Sequence, residues 1–540
     1  MNRNTPESMP YAPPGLAPKV DANTKMVTLT VEGRQVTVPD GTSILEAAKR
    51  AGVLIPHYCY HPGLPVAGVC RMCLVDVEKA PKLAPSCATA AAEGQVVHVH
   101  SEKARAAREG VLEMLLINHP LDCPICDQSG ECELQDYTYQ EGPKELHLRE
   151  PKRFWEPAQD FGGDVIYVAN RCVLCTRCVR FMDDVAFDPV LNVEERGDRA
   201  VIGKFEGKDL THAWAGNVVD LCPVGALLSK DFLNKARAWE IDRAPSICPG
   251  CSQGCNIMLE TRDNAVVRLQ PRPNEEVNHY FMCNHGRLDY RWIDRTDRVQ
   301  FPLVRDGQSL VATDWDPAIA AASKAIAGKR VFVAASPNLS NESLYLLAEL
   351  MRSGNGTGAF TVPTGPEAPL PGVEDLSLRA DRAANGRGAE MMGFRRTANP
   401  LDGMNEGDAL IIADCELDGV APEQLARAGA VVVIGTTFPQ IARGAAAVLP
   451  TANFAEDEGT FTNLRGRVQR FTQARPAPGV ARPMWWVLSD LLTAAGRTDA
   501  TFFLASEVFA ALSKSNQAFA GMTYDSLGLR GAVLAAEGAR

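Results

Sequence analysis

The sequence predicts a multidomain chain, α+β over its first half and α/β over its second. Three observations carry this expectation. At 540 residues the chain is too long for one hydrophobic core. Fifteen of its 16 cysteines lie before residue 284, so the first half must be organised around them. After about residue 300 the cysteines give way to apolar strand-like runs that alternate with helical stretches.

The bulk composition narrows the class. With 46% hydrophobic and 22% charged residues the chain reads as globular. No run approaches the roughly 18 apolar residues a membrane helix needs, so any membrane link is expected to go through partners. Residues 1–25 are rich in proline and polar residues and lack the apolar stretch of a secretory signal. They are expected to form a disordered tail that stays on the mature chain. A net charge of -11 argues against a nucleic-acid footprint. Without an export signal the expected compartment is reducing, where clustered cysteines read as metal ligands rather than disulfides.

The first ligand set is Cys59, Cys70, Cys73 and Cys87, spaced C-x10-C-x2-C-x13-C. Residues 26–32 alternate as a strand, Glu32-Gly33 marks a turn and residues 35–39 form a second strand. A helix follows, with Ser43 and Glu46 placed as a capping box and Gly52 at its stop. Strand, strand, helix and cysteine loop is the order of a plant-type ferredoxin, although the first gap exceeds the plant C-x4-C. His57 and His61 lie close by, and Cys59 with His61 makes one C-x-H pair. A Rieske centre needs two such pairs, so both histidines read as loop residues and the four thiolates suit [2Fe-2S].

The second set is His119, Cys123, Cys126 and Cys132. Residues 101–118 read as a helix whose Leu112, Leu115, Leu116 and His119 share one face, with Pro120 as the stop. A lone histidine there would be a structural residue. Three cysteines directly downstream make it the fourth donor to a cubane, where a neutral imidazole leaves the centre less negative and raises its potential. The third set is Cys172, Cys175 and Cys178, completed by Cys222 before Pro223, in the bacterial ferredoxin manner. Only one triplet exists, so Cys222 is expected to close the same cubane. Arg171, Arg177 and Arg180 are interleaved with these ligands, either as a solvated face or as partial compensation for an anionic cluster. The fourth set is Cys248, Cys251, Cys255 and Cys283, with Pro249-Gly250 and Gly254 supplying sharp turns.

Zinc is the alternative for any one set, because tetrahedral sites also use C-x2-C pairs. Fifteen cysteines and one histidine nevertheless divide into four complete quartets, with no cysteine before residue 284 left over. Four unrelated zinc sites or disulfides explain that poorly.

In the second half, residues 330–335, 409–413 and 430–434 are strand candidates, and residues 316–327 and 341–352 helical ones. A parallel sheet is expected. Residues 363–408, rich in Gly, Pro and Arg, read as a long loop or degenerate segment. Gly435 closes the run VVVIG, where an ordinary strand-to-helix turn is favoured over a nucleotide site. No G-x-G-x-x-G and no P-loop occurs, so no NAD or ATP site is expected. Cys415 reads as a small core or strand-end thiol.

The order of the four sets resembles one family, the large iron–sulfur subunit of respiratory complex I, known as the G-type subunit in bacterial NADH-quinone oxidoreductases. The resemblance covers residues 26 to about 290 with all sixteen ligand positions in place. It implies one [2Fe-2S] cluster on Cys59, Cys70, Cys73 and Cys87. It implies [4Fe-4S] clusters on His119, Cys123, Cys126 and Cys132, on Cys172, Cys175, Cys178 and Cys222, and on Cys248, Cys251, Cys255 and Cys283. The last looks like the extra cluster of some bacterial members, off the main electron path. The fourth module and the region after it also resemble molybdopterin oxidoreductases, through the degenerate segments 385–393 and 449–469. That part is much shorter than a full molybdopterin domain and offers no molybdenum ligand, which implies a cofactor-free structural relic.

The resemblance divides the chain into a 1–25 tail, a 26–103 ferredoxin-like β-grasp domain, a 104–145 His-plus-three-cysteine segment and a 146–240 bacterial-ferredoxin-like segment. A 241–299 four-cysteine module and a 300–540 shortened molybdopterin-oxidoreductase-like α/β domain complete it. The implied role is electron relay from an FMN/NADH-binding flavoprotein subunit, through the [2Fe-2S] centre, the Cys172 cubane and the His119 cubane, toward quinone by way of other peripheral-arm subunits. No FMN, NAD or molybdopterin is expected on this chain, which would work only within its complex, peripherally, on the cytoplasmic side of a bacterial inner membrane. The alternatives are the equivalent subunit of an NAD-reducing hydrogenase or NAD-linked formate dehydrogenase and, from another class, a zinc-stabilised scaffold without redox activity.

Overall fold

The computed structural model describes residues 24–535 apart from 148, 156 and 157. Of the expected tail, residues 1–23 lie outside the described residues. Lys25 already belongs to the fold, its carbonyl accepting from the Asp40 N–H and its ammonium pairing with the Asp40 carboxylate at 2.9 Å. The chain divides into two compact units. The first runs to Ile241 and takes in Pro273–Asn284 and Leu370–Asp375, and the second holds Asp242–Arg272, His285–Pro369 and the chain from Leu376 onward.

The first unit begins with an antiparallel hairpin, β1 (Met26–Val31) and β2 (Arg34–Pro39), closed by the two-residue turn Glu32-Gly33. Both turn residues have positive φ, +47° and +74°, the geometry that matches the twist of the flanking strands. Helix α1 (Ile44–Arg50) follows, its Ser43 hydroxyl accepting from the Glu46 N–H at 3.3 Å. Only half of the expected capping box forms. The buried Glu46 carboxylate instead accepts from the Tyr60 hydroxyl at 2.8 Å, because a phenol in an apolar pocket needs a partner. Strands β3 (Leu74–Val77), β4 (Ala84–Pro85) and β5 (Val96–His98) complete a five-stranded sheet in the order β2-β1-β5-β3-β4. Val27, Leu29, Val31 and Val38 pack with Ile44, Leu45 and Ala48 of α1 in one core that also contains Cys73 and Cys87.

Helix α2 (Glu102–Asn118) is capped by the Ser101 hydroxyl, which accepts from the Ala104 N–H at 3.2 Å. It ends at His119, extended at ψ 129° as a residue before proline must be. Of the expected buried face, only Leu112 is fully buried, with Leu115, Leu116 and His119 half-exposed. The helix turns Ala104, Arg108 and Leu112 inward instead. Arg108 is drawn in because its guanidinium pairs with Glu141 of the packing helix α3 (Glu133–Glu141). Beyond α3, β6 (Ala158–Gly162) and β7 (Val165–Val168) pair antiparallel, Leu227–Ser229 joins the other edge of β7, and α4 (Arg177–Arg180) is a single helical turn.

The second unit has a three-stranded antiparallel sheet, Asp242–Ile247, Asn256–Arg262 and Ala265–Pro271, and an eight-stranded sheet. In the larger sheet six neighbouring strands run parallel: Ala447–Pro450, Ala430–Gly435, Ala409–Ala413, Val331–Ala335, Thr357–Phe360 and Arg395–Arg396. The hairpin Leu303–Asp306 with Ser309–Ala312 adds an antiparallel edge. Every residue of Val331–Ala335 and Ala409–Ala413 is buried, as expected of parallel strands covered on both faces. Val331, Val333 and Ala335 enter one core while Phe332 and Ala334 enter the other.

Residues 363–408 are not the long loop that their composition suggests. Ala368–Pro369 pairs with Ser377–Leu378, Gly386–Met391 is helical, and Arg395–Arg396 extends the large sheet. The buried Asn385 amide donates to the Leu339 carbonyl and its oxygen accepts from the Thr462 N–H, both at 2.6 Å. A Cβ at Gly388 would collide with the Asn341 and Asn385 side chains, so this glycine marks close packing rather than a flexible link.

Glu342 lies fully buried at the start of helix Asn341–Ser353. It accepts from the Tyr524 hydroxyl at 2.8 Å, the Thr460 hydroxyl at 3.0 Å and the Thr460 N–H at 2.9 Å. Burial pushes its carboxyl up to about 7 from the usual 4.5. The folded state therefore holds this proton more tightly than the unfolded chain. The contribution is fully present below the unfolded value and is lost as pH rises through the folded one, a change of about 3 kcal/mol. Chemical unfolding of wild type and Glu342→Gln at pH 5 and pH 8 should show a wild-type decline that the variant lacks. Parallel pH profiles would contradict this.

Candidate iron–sulfur sites

The first set is assembled by the small sheet. Cys73 leads into β3 and Cys87 follows β4, and the Ser86 N–H between them donates to the Cys73 carbonyl at 3.1 Å. Cys59, Cys73 and Cys87 are buried and Cys70 is half-buried. Cys59 bonds to both Cys70 and Cys87, and Cys87 also bonds to Cys73. Hydrogen bonds from Cys70 and Cys87 hold the Cys59 thiol well below its ordinary value, and the bond from Cys87 brings Cys73 down to about 7. Cys70 and Cys87, as the donors, are driven upward. His57 bonds the Ile55 carbonyl through Nδ1 at 2.8 Å, and His61 Nδ1 accepts from the Gly63 N–H at 3.1 Å, so both histidines are tied into the loop.

The second set follows α2. His119 is its C-cap, Cys123 opens a short turn and is exposed, Cys126 is buried, and Cys132 is the N-cap of α3. Burial lowers His119 to about 4, which keeps the imidazole neutral, the form in which it can bind a metal. Burial likewise raises Cys126, and takes Cys132 to about 12. The Arg237 guanidinium donates to the carbonyls of Cys126 at 3.0 Å and Cys123 at 2.8 Å and so staples the loop. No spacing rule pointed to Arg237.

The third set lines a cavity. Positive φ at Leu174 (+50°) and Thr176 (+59°) turns the chain between ligands, and Cys222 caps the short helix Asn217–Leu221. Cys172, Cys175, Cys178 and Cys222 line about 330 Å³ of space together with Tyr167, Ile202, Val224 and Leu227. Burial pushes Cys172, Cys175 and Cys222 up to about 11, and Cys178 well above its usual value. Four thiols so desolvated ionise only when a cationic group shares their cavity. Arg177 stands in the same wall, and its buried Nε–H has no partner among the described residues, as befits a neighbour to an anionic assembly. The donors therefore fit an iron–sulfur cluster. Among the described residues no three His, Cys, Asp or Glu side chains are drawn together tightly enough for a single ion, whereas these thiols ring a larger space.

The interleaved arginines do not form a solvated face. Arg171 pairs with Asp122 at 2.9 Å. Arg177, buried, reaches Glu133 at 3.4 Å, the Leu221 carbonyl at 3.2 Å and the Tyr60 carbonyl at 2.7 Å. Arg180 donates to the carbonyls of Cys59, Pro65 and Cys175.

In the second unit Cys248, Cys251 and Cys255 share one tight loop, with the Cys248 N–H donating to the Cys255 carbonyl at 2.8 Å. Cys283 is also buried but falls in the first unit. Cys415 is half-buried beside one face of the large sheet, and burial takes its thiol up to about 11. Gly435 ends its strand at Thr436, which donates twice to Asp414, and only a short turn at Gln440–Ala442 follows in place of a helix.

These modules match known families in the same chain order. Residues 24–102 match the "2Fe-2S iron-sulfur cluster binding domain" and residues 108–147 the "NADH-ubiquinone oxidoreductase-G iron-sulfur binding region". Residues 162–228 match the "NADH-quinone oxidoreductase subunit 3, ferredoxin-like domain", 241–294 the "Molybdopterin oxidoreductase Fe4S4 domain", and 417–494 "Molybdopterin oxidoreductase". Fold and thiol sets together define a multidomain iron–sulfur protein.

Among curated relatives, the NADH-ubiquinone oxidoreductase 78 kDa subunit of Candida albicans is 45% identical over 54% of this chain and 41% of its own length. The G subunit of the Rickettsia bellii NADH-quinone oxidoreductase is 38% identical over 61% and 48%, and that of Streptomyces coelicolor 34% identical over 74% and 48%. The chain is thus similar to the large iron–sulfur subunits of NADH-quinone oxidoreductase, and it spans less than half the length of these relatives. A solved chain of an NAD+-reducing [NiFe]-hydrogenase is 30% identical, covering 39% of this chain and 90% of that one at a TM-score of 0.35.

A Cβ at Gly225 would collide with the Cys126 sulfur. Gly225→Ala is therefore expected to displace that thiol and, if the sets bind iron as expected, to lower the iron held by the second set but not by the first. Iron analysis with low-temperature electron paramagnetic resonance (EPR) checks this, and unchanged signals from every centre would refute it.

Proposed function

We propose that the chain is the electron-relay subunit of an NADH:quinone oxidoreductase, active only within its complex, between an FMN/NADH-binding flavoprotein subunit and peripheral-arm subunits that lead to quinone. The observation that carries this is the apolar-lined cavity on which the buried thiols of Cys172, Cys175, Cys178 and Cys222 converge. We assign [2Fe-2S] to Cys59, Cys70, Cys73 and Cys87. We assign [4Fe-4S] to His119, Cys123, Cys126 and Cys132, to the Cys172 quartet, and to Cys248, Cys251, Cys255 and Cys283. When bound, such clusters supply reversible one-electron oxidation and reduction. The domain limits that go with this reading are 26–103, 104–145, 146–240, 241–299 and 300–540, the last a shortened molybdopterin-oxidoreductase-like domain without its cofactor.

The chain's own residues supply three things. Tyr167, Ile202, Val224 and Leu227 keep water from the third set. Arg237 fixes the carbonyls of Cys123 and Cys126, so the second loop need not reorganise when its charge changes. The neutral His119 makes its set less negative than a four-thiolate one. No helix among the described residues is long and apolar enough to cross a membrane. The proposal accordingly places the chain peripherally, through its partners, on the cytoplasmic side of a bacterial inner membrane. Anaerobic purification should give a brown protein with about fourteen irons per chain and paramagnetic signals after dithionite. A colourless, zinc-loaded protein would overturn the assignment, and copurification with hydrogenase subunits would redirect it.

A further inference from the structure

The three arginines of the third set differ in one respect. Arg171 is neutralised by Asp122 and Arg177 by Glu133. Among the described residues Arg180 has no carboxylate partner, and apart from a contact with the Thr176 hydroxyl it spends its donors on backbone carbonyls. Two of those carbonyls belong to predicted ligands of different sets. Nη2 donates to Cys59 of the first at 2.5 Å and to Cys175 of the third at 3.2 Å. The path from one ligand residue to the other is thus carbonyl, guanidinium, carbonyl, with no other side chain between. Arg180 also sits on the one-turn helix that carries Cys178, so its stem is fixed by the third set while its head is fixed by the first.

We propose that Arg180 is the positioning residue that couples the first and third sets, its forked guanidinium holding the two ligand loops at a fixed separation while its unpaired charge favours the reduced state of both centres. The inference rests on the cluster assignments of the proposed function. A rigid planar fork suits the geometric part, since it spans two acceptors without the rotational freedom of an ammonium. The electrostatic part follows from sign. Reduction adds negative charge at each set, and a cation bonded to a ligand residue of each lowers its cost. The second set is held by Arg237 and by Arg171 with its counter-ion, so it serves as an internal reference.

The test uses the full iron-loaded chain as wild type, Arg180→Met and Arg180→Lys, with EPR-monitored redox titration and iron analysis. In Arg180→Met the ratio of reduced to oxidised centre, at fixed potential, should fall about tenfold for the first and third sets, which is ~59 mV for one electron. The second set should not move. Arg180→Lys should restore both ratios but not the magnetic broadening between the two reduced centres, because the charge returns without the fork. A shift confined to one centre, an equal shift of all three, or no shift would each overturn the proposal. If Arg180→Met loses iron, loss from the first and third sets together supports the link and loss from the third alone refutes it. Wild-type protein without iron would instead overturn the proposed function itself.

Discussion

The first half of this protein depends on one constraint: most of its thiols are drawn away from the water that would stabilise their charge. Burial, helped by the neighbouring thiols, lifts the third-set sulfurs to values at which they would stay protonated at neutral pH. A protonated thiol is a poor ligand and a small hydrophobe, so the bare chain holds these sites in a state of unmet demand. A cationic inorganic core inverts that balance, and the energy of its binding becomes energy of folding. The local architecture answers to this. Residues such as Leu174 and Thr176, unfavourable in the left-handed region, are held there because no gentler path lets the C-x2-C-x2-C run face inward.

The same constraint explains why arginines crowd the first unit's cysteine loops. A buried guanidinium is expensive unless its donors are satisfied. Here the acceptors are largely backbone carbonyls at or beside predicted ligands: Tyr60, Leu221, Cys59, Cys175, Cys123 and Cys126. Carbonyls facing a sulfur set would repel its negative charge. Turning them outward onto arginines both satisfies the cations and removes that repulsion. Five donors in a plane can bind carbonyls from two loops at once, which lysine cannot do in fixed geometry.

What the sequence disclosed was the part governed by near neighbours. The hairpin at Glu32-Gly33, the Ser43 cap, the helix before His119 and the halt at Pro120 each follow from a few adjacent residues, and each stands within a residue or two of its expected place. The buried strands of the second unit were equally legible, because parallel strands covered on both faces need uninterrupted apolar runs. Failures came where a distant partner decided the outcome. Glu46 left its capping box for Tyr60, fourteen positions away. Helix α2 rotated toward Arg108 because Glu141 was waiting for it. Residues 363–408 looked like loop because glycine and asparagine have two opposite uses, freedom in a turn and compactness in a core. Only the contacts of Asn385 and Gly388 tell which applies. Arginine roles in the first unit were invisible for the same reason, since carbonyl acceptors leave no mark in a sequence.

The second unit meets a related problem by another route. Its interior polar groups at Asn341, Glu342, Asn385, Thr460 and Thr462 are fully buried and bond largely to one another. Asn341 donates to both threonine hydroxyls at 3.0 Å, and the Thr460 hydroxyl donates in turn to Glu342. Such a network is costly if any member is lost, since each deletion leaves a stranded donor or acceptor in a dry interior. A network closed on itself also offers nothing to an incoming ligand. Where the first unit rings a cavity with thiols and the buried Arg177 Nε–H, this network spends its polar capacity internally. Binding potential and structural satisfaction draw on the same hydrogen-bonding groups. Their opposite allocation in that cavity and in this network is the physical reason to look for electron-carrying chemistry around the third set's thiols and for a structural role in this part of the second unit.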